Sequence, residues 1–69
     1  MPKYVVASID FLENEIHLEI ITANTWQEAW VAHSKSLWDK DDTTLEGLSL
    51  EEAKEICFNS DCMMNHIEI

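Results

Sequence analysis

Sixty-nine residues with 46% hydrophobic side chains, one glycine and one proline make one domain with little linker, near the lower size limit for a self-sustaining core, and too apolar for a disordered chain. Fourteen Asp and Glu against four Lys and no Arg give a formal charge of −10. That balance excludes nucleic acid and anionic lipid as direct partners, because phosphate binding runs through Lys and Arg.

The chain opens on Lys3 to Phe11, KYVVASIDF, which alternates with period two. Val5, Ala7, Ile9 and Phe11 share one face; Tyr4, Val6, Ser8 and Asp10 share the other. Glu15 to Ala23, EIHLEIITA, alternates again, with Ile16, Leu18 and Ile20 set against His17, Glu19 and Ile21. Between them Glu13-Asn14 suits a two-residue hairpin turn, since Asn tolerates left-handed backbone. Such a turn pairs Phe11 with Ile16, Ile9 with Leu18 and Ala7 with Ile20 on an apolar face expected to meet the core. It pairs Asp10 with His17 and Ser8 with Glu19 on the polar face.

Thr25 to Trp38, TWQEAWVAHSKSLW, holds all three tryptophans. Wound as a helix, it aligns Trp26, Trp30, His33 and Leu37 in one stripe with Ala29 beside it. That stripe is expected to cover Ile9, Leu18 and Ile20 of the hairpin, while Val31 and Trp38 lie off it toward solvent. Thr25 and Glu28 form a T-x-x-E capping box, in which the hydroxyl accepts from the Glu28 N–H and the carboxylate reaches back to the Thr25 N–H. Asp39 to Leu48, DKDDTTLEGL, reads as an acidic loop. Ser49-Leu50-Glu51-Glu52 is a second capping box opening a helix to Asn59, with Leu50, Ala53, Ile56 and Cys57 on its apolar side. Two of its acids occupy the first turn, where they suit the helix dipole. Cys62 to Ile69, CMMNHIEI, reads as a last strand.

These segments predict a single α+β domain over residues 1–69: strands 3–11 and 15–23, helix 25–38, acidic loop 39–48, helix 49–59 and strand 62–69. Two helices on one face of a three-stranded sheet, in the order β-β-α-α-β, give a two-layer solution. The first strand is expected in the middle, and counting reversals sends the last strand in the same direction as the first. No 18-residue apolar run offers a membrane span, and Asp10 and Glu13 interrupt any signal peptide, so a cytoplasmic protein is expected. Cys57 and Cys62 are accordingly read as reduced thiols.

Chemistry-bearing residues are few. His33 reads as a partly buried histidine making one hydrogen bond, with no nucleophile or carboxylate at helical spacing on its face. Cys57, Cys62 and His66 approach zinc-like spacing, but a structural zinc wants four ligands and shorter Cys–Cys hooks. Asp10, His17, Glu19, His66 and Glu68 read as a solvated cluster on the outer sheet face. Asp39-x-Asp41-x-Thr43 begins like a calcium loop, yet Thr44 and Leu50 stand where the glycine and the bidentate Glu are needed. No catalytic, cofactor or metal-ligating residue is assigned.

The acids are distributed more tellingly. Residues 39–55 carry seven of the fourteen, and with Trp38 they outline a candidate partner-binding set: Trp38, Asp39, Asp41, Asp42, Glu46, Glu51, Glu52 and Glu55. An exposed Trp beside an acidic segment suits a docking surface for a basic protein; the plainer reading is a solvated surface that keeps the protein soluble. In size, acidity and lack of a catalytic constellation the chain resembles, as a class, the accessory proteins phages use against host enzymes or defence systems, DNA mimics among them. No alignable motif carries that likeness. The expectation is a non-enzymatic interaction module; the alternative is an assembly module acting as a homodimer.

Overall fold

A computed structural model describes residues 1–38, 45 and 47–69. The elements are β1 (Lys3–Asp10), β2 (Glu15–Thr22), α1 (Trp26–Trp38), α2 (Leu50–Asn59) and β3 (Cys62–Glu68). They form a three-stranded antiparallel sheet in the order β2-β1-β3, covered on one face by the helices. β1 is central, as expected. The acidic positions Asp39, Asp41, Asp42 and Glu46 fall outside the described residues, as does the side chain of Trp38 at the end of α1.

The hairpin register differs from the sequence reading by two residues. Ile9 pairs with Ile16, Ala7 with Leu18 and Val5 with Ile20, and Asp10 closes on Glu15. A slip of two keeps every side chain on its face, so the apolar pattern cannot detect it. Turn chemistry decides instead. Asp10 Oδ1 accepts from the N–H of Leu12 and Glu13 at 3.0 and 3.2 Å, and Asn14 takes the left-handed conformation at φ 55°. The loop is therefore four residues, Phe11 to Asn14, rather than two.

β3 runs antiparallel to β1, Cys62 opposite Asp10 and Glu68 opposite Tyr4, which corrects the parallel expectation. Both helices run the same way along the sheet. α1 begins over Tyr4 and His66 and reaches Ser8 with His33; α2 begins where Gln27 Nε2 donates to Leu48 O at 3.4 Å and ends where Phe58 meets Phe11. α1 ends at the far end of the sheet and α2 begins back at the near one, which adds one reversal. Asp61, left-handed at φ 63°, then turns the chain out of α2, and its carbonyl accepts from Phe11 N at 3.0 Å.

Both helix starts are capped. Thr25 Oγ1 accepts from Glu28 N at 3.2 Å, but Glu28 Oε2 takes the N–H of Asn24 rather than of Thr25. Ser49 and Glu52 form the full reciprocal box. The core gathers Tyr4, Val6, Ala23, Ala29, Trp30, Leu45, Ala53 and Met64. Leu45 reaches it through a turn in which Leu48 N donates to Leu45 O and Gly47 takes φ 79°. Val31, read as solvent-facing, packs half-buried against the core; Leu50 and Ile56, read as core-facing, are exposed, so α2 buries only Ala53 and part of Cys57. A stripe of two small side chains suffices at the edge of a three-stranded sheet.

Candidate functional site

Strand parity divides the sheet into two faces of different chemistry. The helix-covered face carries Tyr4, Val6, Ser8 and Asp10 of β1, Glu15, His17, Glu19 and Ile21 of β2, and Cys62, Met64, His66 and Glu68 of β3. The open face carries Lys3, Val5, Ala7 and Ile9, then Ile16, Leu18, Ile20 and Thr22, then Met63, Asn65 and Ile67. This inverts the sequence reading: the aliphatic face expected under the Trp helix is the uncovered one.

The helix stripe itself explains the inversion. Trp30 and His33 are fully buried, and their ring nitrogens need partners. Trp30 Nε1–H donates to His66 Nδ1 at 2.9 Å. His33 lies between Ser8 and Glu19: Nε2 to Ser8 Oγ is 2.8 Å and Nδ1 to Glu19 Oε1 is 2.8 Å. The carboxylate accepts, so Nδ1 donates to Glu19, and Nε2 lies within hydrogen-bond distance of the Ser8 hydroxyl. The single hydrogen bond expected of His33 is thus exceeded. Every partner comes from the face that the sequence reading turned outward. An aliphatic face offers none, and each buried nitrogen left unpaired costs about 1–3 kcal/mol. Among the described residues, every buried side-chain nitrogen and oxygen has a partner.

Ser8, His33 and Glu19 reproduce the order of a nucleophile, a base and an orienting carboxylate. Chain spacing could not reveal this, because the Ser and the Glu come from two strands and meet the helix only through the sheet pairing. Both Ser8 and His33 are buried. The arrangement clamps α1 to β1 and β2.

His66 is held likewise. Its ring stacks on Trp26 at 5.3 Å and 6°, and meets Tyr4 and Trp30 edge-on. Burial, with Lys54 adding repulsion and Glu68 opposing, holds its pKa below the usual 6.5. Asp10, His17, Glu19, His66 and Glu68 therefore belong to the covered side, not to an outer polar cluster. Cys62 Sγ donates to Cys57 O at 3.2 Å. No group of metal-ligating side chains gathers among the described residues.

The open face is where an unassigned surface lies. Ile16, Leu18, Ile20 and Ile67 are 73, 72, 66 and 69% exposed, and Ile9 and Met63 are about half exposed. Phe11 and Phe58 meet edge to face at one end of it, centroids 5.9 Å apart. The short side chain of Ala7 in the central strand leaves a dent, which opens into a groove of 580 Å³ bounded by Ile9, Ile16, Met63, Asn65 and, from α2, Lys54, Glu55 and Phe58. All four strand acids, Asp10, Glu15, Glu19 and Glu68, occupy the opposite parity; Lys3 is the one charged strand residue of the open face. The period-two alternation marks this apolar row, and the fold leaves it outside where the interior was expected.

Of the acids read as partner-binding, Glu51, Glu52 and Glu55 are exposed on α2. Glu52 is engaged in its capping box. No helix among the described residues is long and apolar enough to cross a membrane. The chain matches no protein-family model, no curated protein and no solved structure at a significant level.

Proposed function

We propose that this protein is a non-catalytic interaction module that works by burying its open sheet face against another polypeptide surface. The observation that carries the reading is the distribution of side chains over the sheet: isoleucines and a leucine point outward while every strand acid points to the helix side. A two-layer monomer ordinarily shows the reverse, apolar inward and polar outward. Single exposed apolar side chains need no explanation, but a contiguous row across three strands is the signature of an interaction site.

A photoreactive side chain in place of Leu18 tests this in the source cell. The reading expects covalent adducts to polypeptide at position 18 and none from the same group at the solvent-facing position 36. Equal, background-level labelling at both positions contradicts it.

A second surface is favoured by the exposure of Glu51 and Glu55 on α2. They lie within the segment that carries half of the acids, so an acidic flank remains available to a basic protein partner, an inhibitory role on a host enzyme being one form of it. Binding of that kind weakens with added salt, and E51K with E55K slows association. Salt-independent association argues against the acidic flank.

A further inference from the structure

The shape, area and charge of the open face together name its occupant, and this step rests on the interaction reading above. We infer that the face is covered by a second copy of the chain, in a face-to-face twofold dimer with the sheets inside and the helices outside.

Shape is the first ground. The face carries exposed aliphatic side chains on both edge strands with a dent over Ala7 between them. Leu18 and Ile20 on β2 and Ile67 on β3 are each about two-thirds or more exposed, and the groove over Ala7 lies toward β3 and α2. A twofold axis parallel to β1, lying between two stacked sheets, places β2 of one copy over β3 of the other. Ile20 of each copy then meets Ile67 of the other and Leu18 lies level with Ala7 and Asn65, and the contact is made twice by one operation. Stacked sheets sit about 10 Å apart, a gap that aliphatic side chains from both faces fill.

Area is the second. Three strands of about eight residues project a footprint of roughly 14 by 26 Å, and protruding side chains carry more accessible area than that projection. With Phe11 and Phe58 at its end, the face supplies the roughly 500 Å² per copy at which a specific interface begins. Charge is the third. Two copies of charge −10 repel at distance, yet the facing strands bring no carboxylate into the contact, and Glu55 on the groove wall is accompanied by Lys54. Added salt screens the long-range repulsion and leaves the apolar contact intact. Self-association therefore tightens with salt, opposite in sign to docking on a basic surface.

Sedimentation equilibrium of the purified full chain tests the proposal. At tens of micromolar the expected particle has twice the 8.0 kDa chain mass, and its dissociation constant falls between low and moderate salt. L18K and, separately, I67K are each expected to give a folded monomer, with a dissociation constant raised at least a hundredfold and far-ultraviolet circular dichroism unchanged. E51Q, away from the face, should leave the dimer intact. A wild-type monomer at every concentration and salt overturns the proposal. If position 18 still labels a different polypeptide in the cell, the face is a contact for another protein and only the self-association is lost; if it labels nothing, the interaction reading falls as well. A dimer that both L18K and I67K leave untouched places the contact elsewhere and also overturns it.

Discussion

Ser8 is a small polar residue in the middle of the central strand, and the way α1 seats depends on it. Its hydroxyl and the Glu19 carboxylate reach the two nitrogens of a histidine with no solvent access. Ser8→Ala removes one buried hydrogen bond and should cost about 1–3 kcal/mol, read as a lowered midpoint in denaturant with an unchanged slope. An unchanged midpoint contradicts the clamp. His66 gives a pH-dependent counterpart. Its pKa is held below 6.5 in the folded protein, first by burial, so below about pH 6.5 the unfolded chain binds more protons than the folded one. The contribution is complete above that pH and is lost as pH falls toward the folded value. The geometry agrees in sign, because protonation of Nδ1 removes the acceptor for Trp30. Thermal melts from pH 8 to pH 5 should fall more steeply for the wild type than for His66→Gln; parallel curves contradict the assignment.

At the scale of elements, strand and helix boundaries were legible to within about one residue of the sequence reading, because alternation, helical spacing and both capping sequences agree locally. Three relations between elements were not. The hairpin register hung on Asp10 and a left-handed Asn14, which hydrophobic alternation cannot see. Asn14→Val should cost about 1–2 kcal/mol, the penalty of a left-handed β-branched residue, and Asn14→Gly should be neutral or stabilising; equal stability of the two variants contradicts the four-residue loop. The direction of β3 depended on where α2 begins, back at the near end of the sheet. The covered face was misassigned because alternation shows that a strand has two faces, and not which one a helix will choose. His33 and the Trp30 indole, counted as core apolar positions, carried the missing information in their nitrogens. Ser49→Ala, removing the α2 cap seen in both sequence and structure, should cost about 1 kcal/mol.

For the molecule as a whole, the polar pairing beneath α1 leaves a deficit on the other side of the sheet. Five aliphatic or Met side chains are more than half exposed there and Ile9 is 40% exposed, forgoing on the order of 1–2 kcal/mol each. Together these rival the whole stability of an ordinary small domain. Covering the aliphatic face with the helices would have recovered that burial but stranded the ring nitrogens. A second sheet face satisfies both requirements. It also supplies the core that a chain of this length otherwise lacks.

The most direct test is an isotope-filtered nuclear Overhauser experiment on a mixture of labelled and unlabelled chains. Face-to-face pairing predicts cross-peaks from the Leu18 and Ile20 methyls of one copy to Ala7 and Ile67 of the other, lost in L18K. Absence of intermolecular cross-peaks, with those methyls fully open to a soluble paramagnetic probe at high protein concentration, contradicts the account.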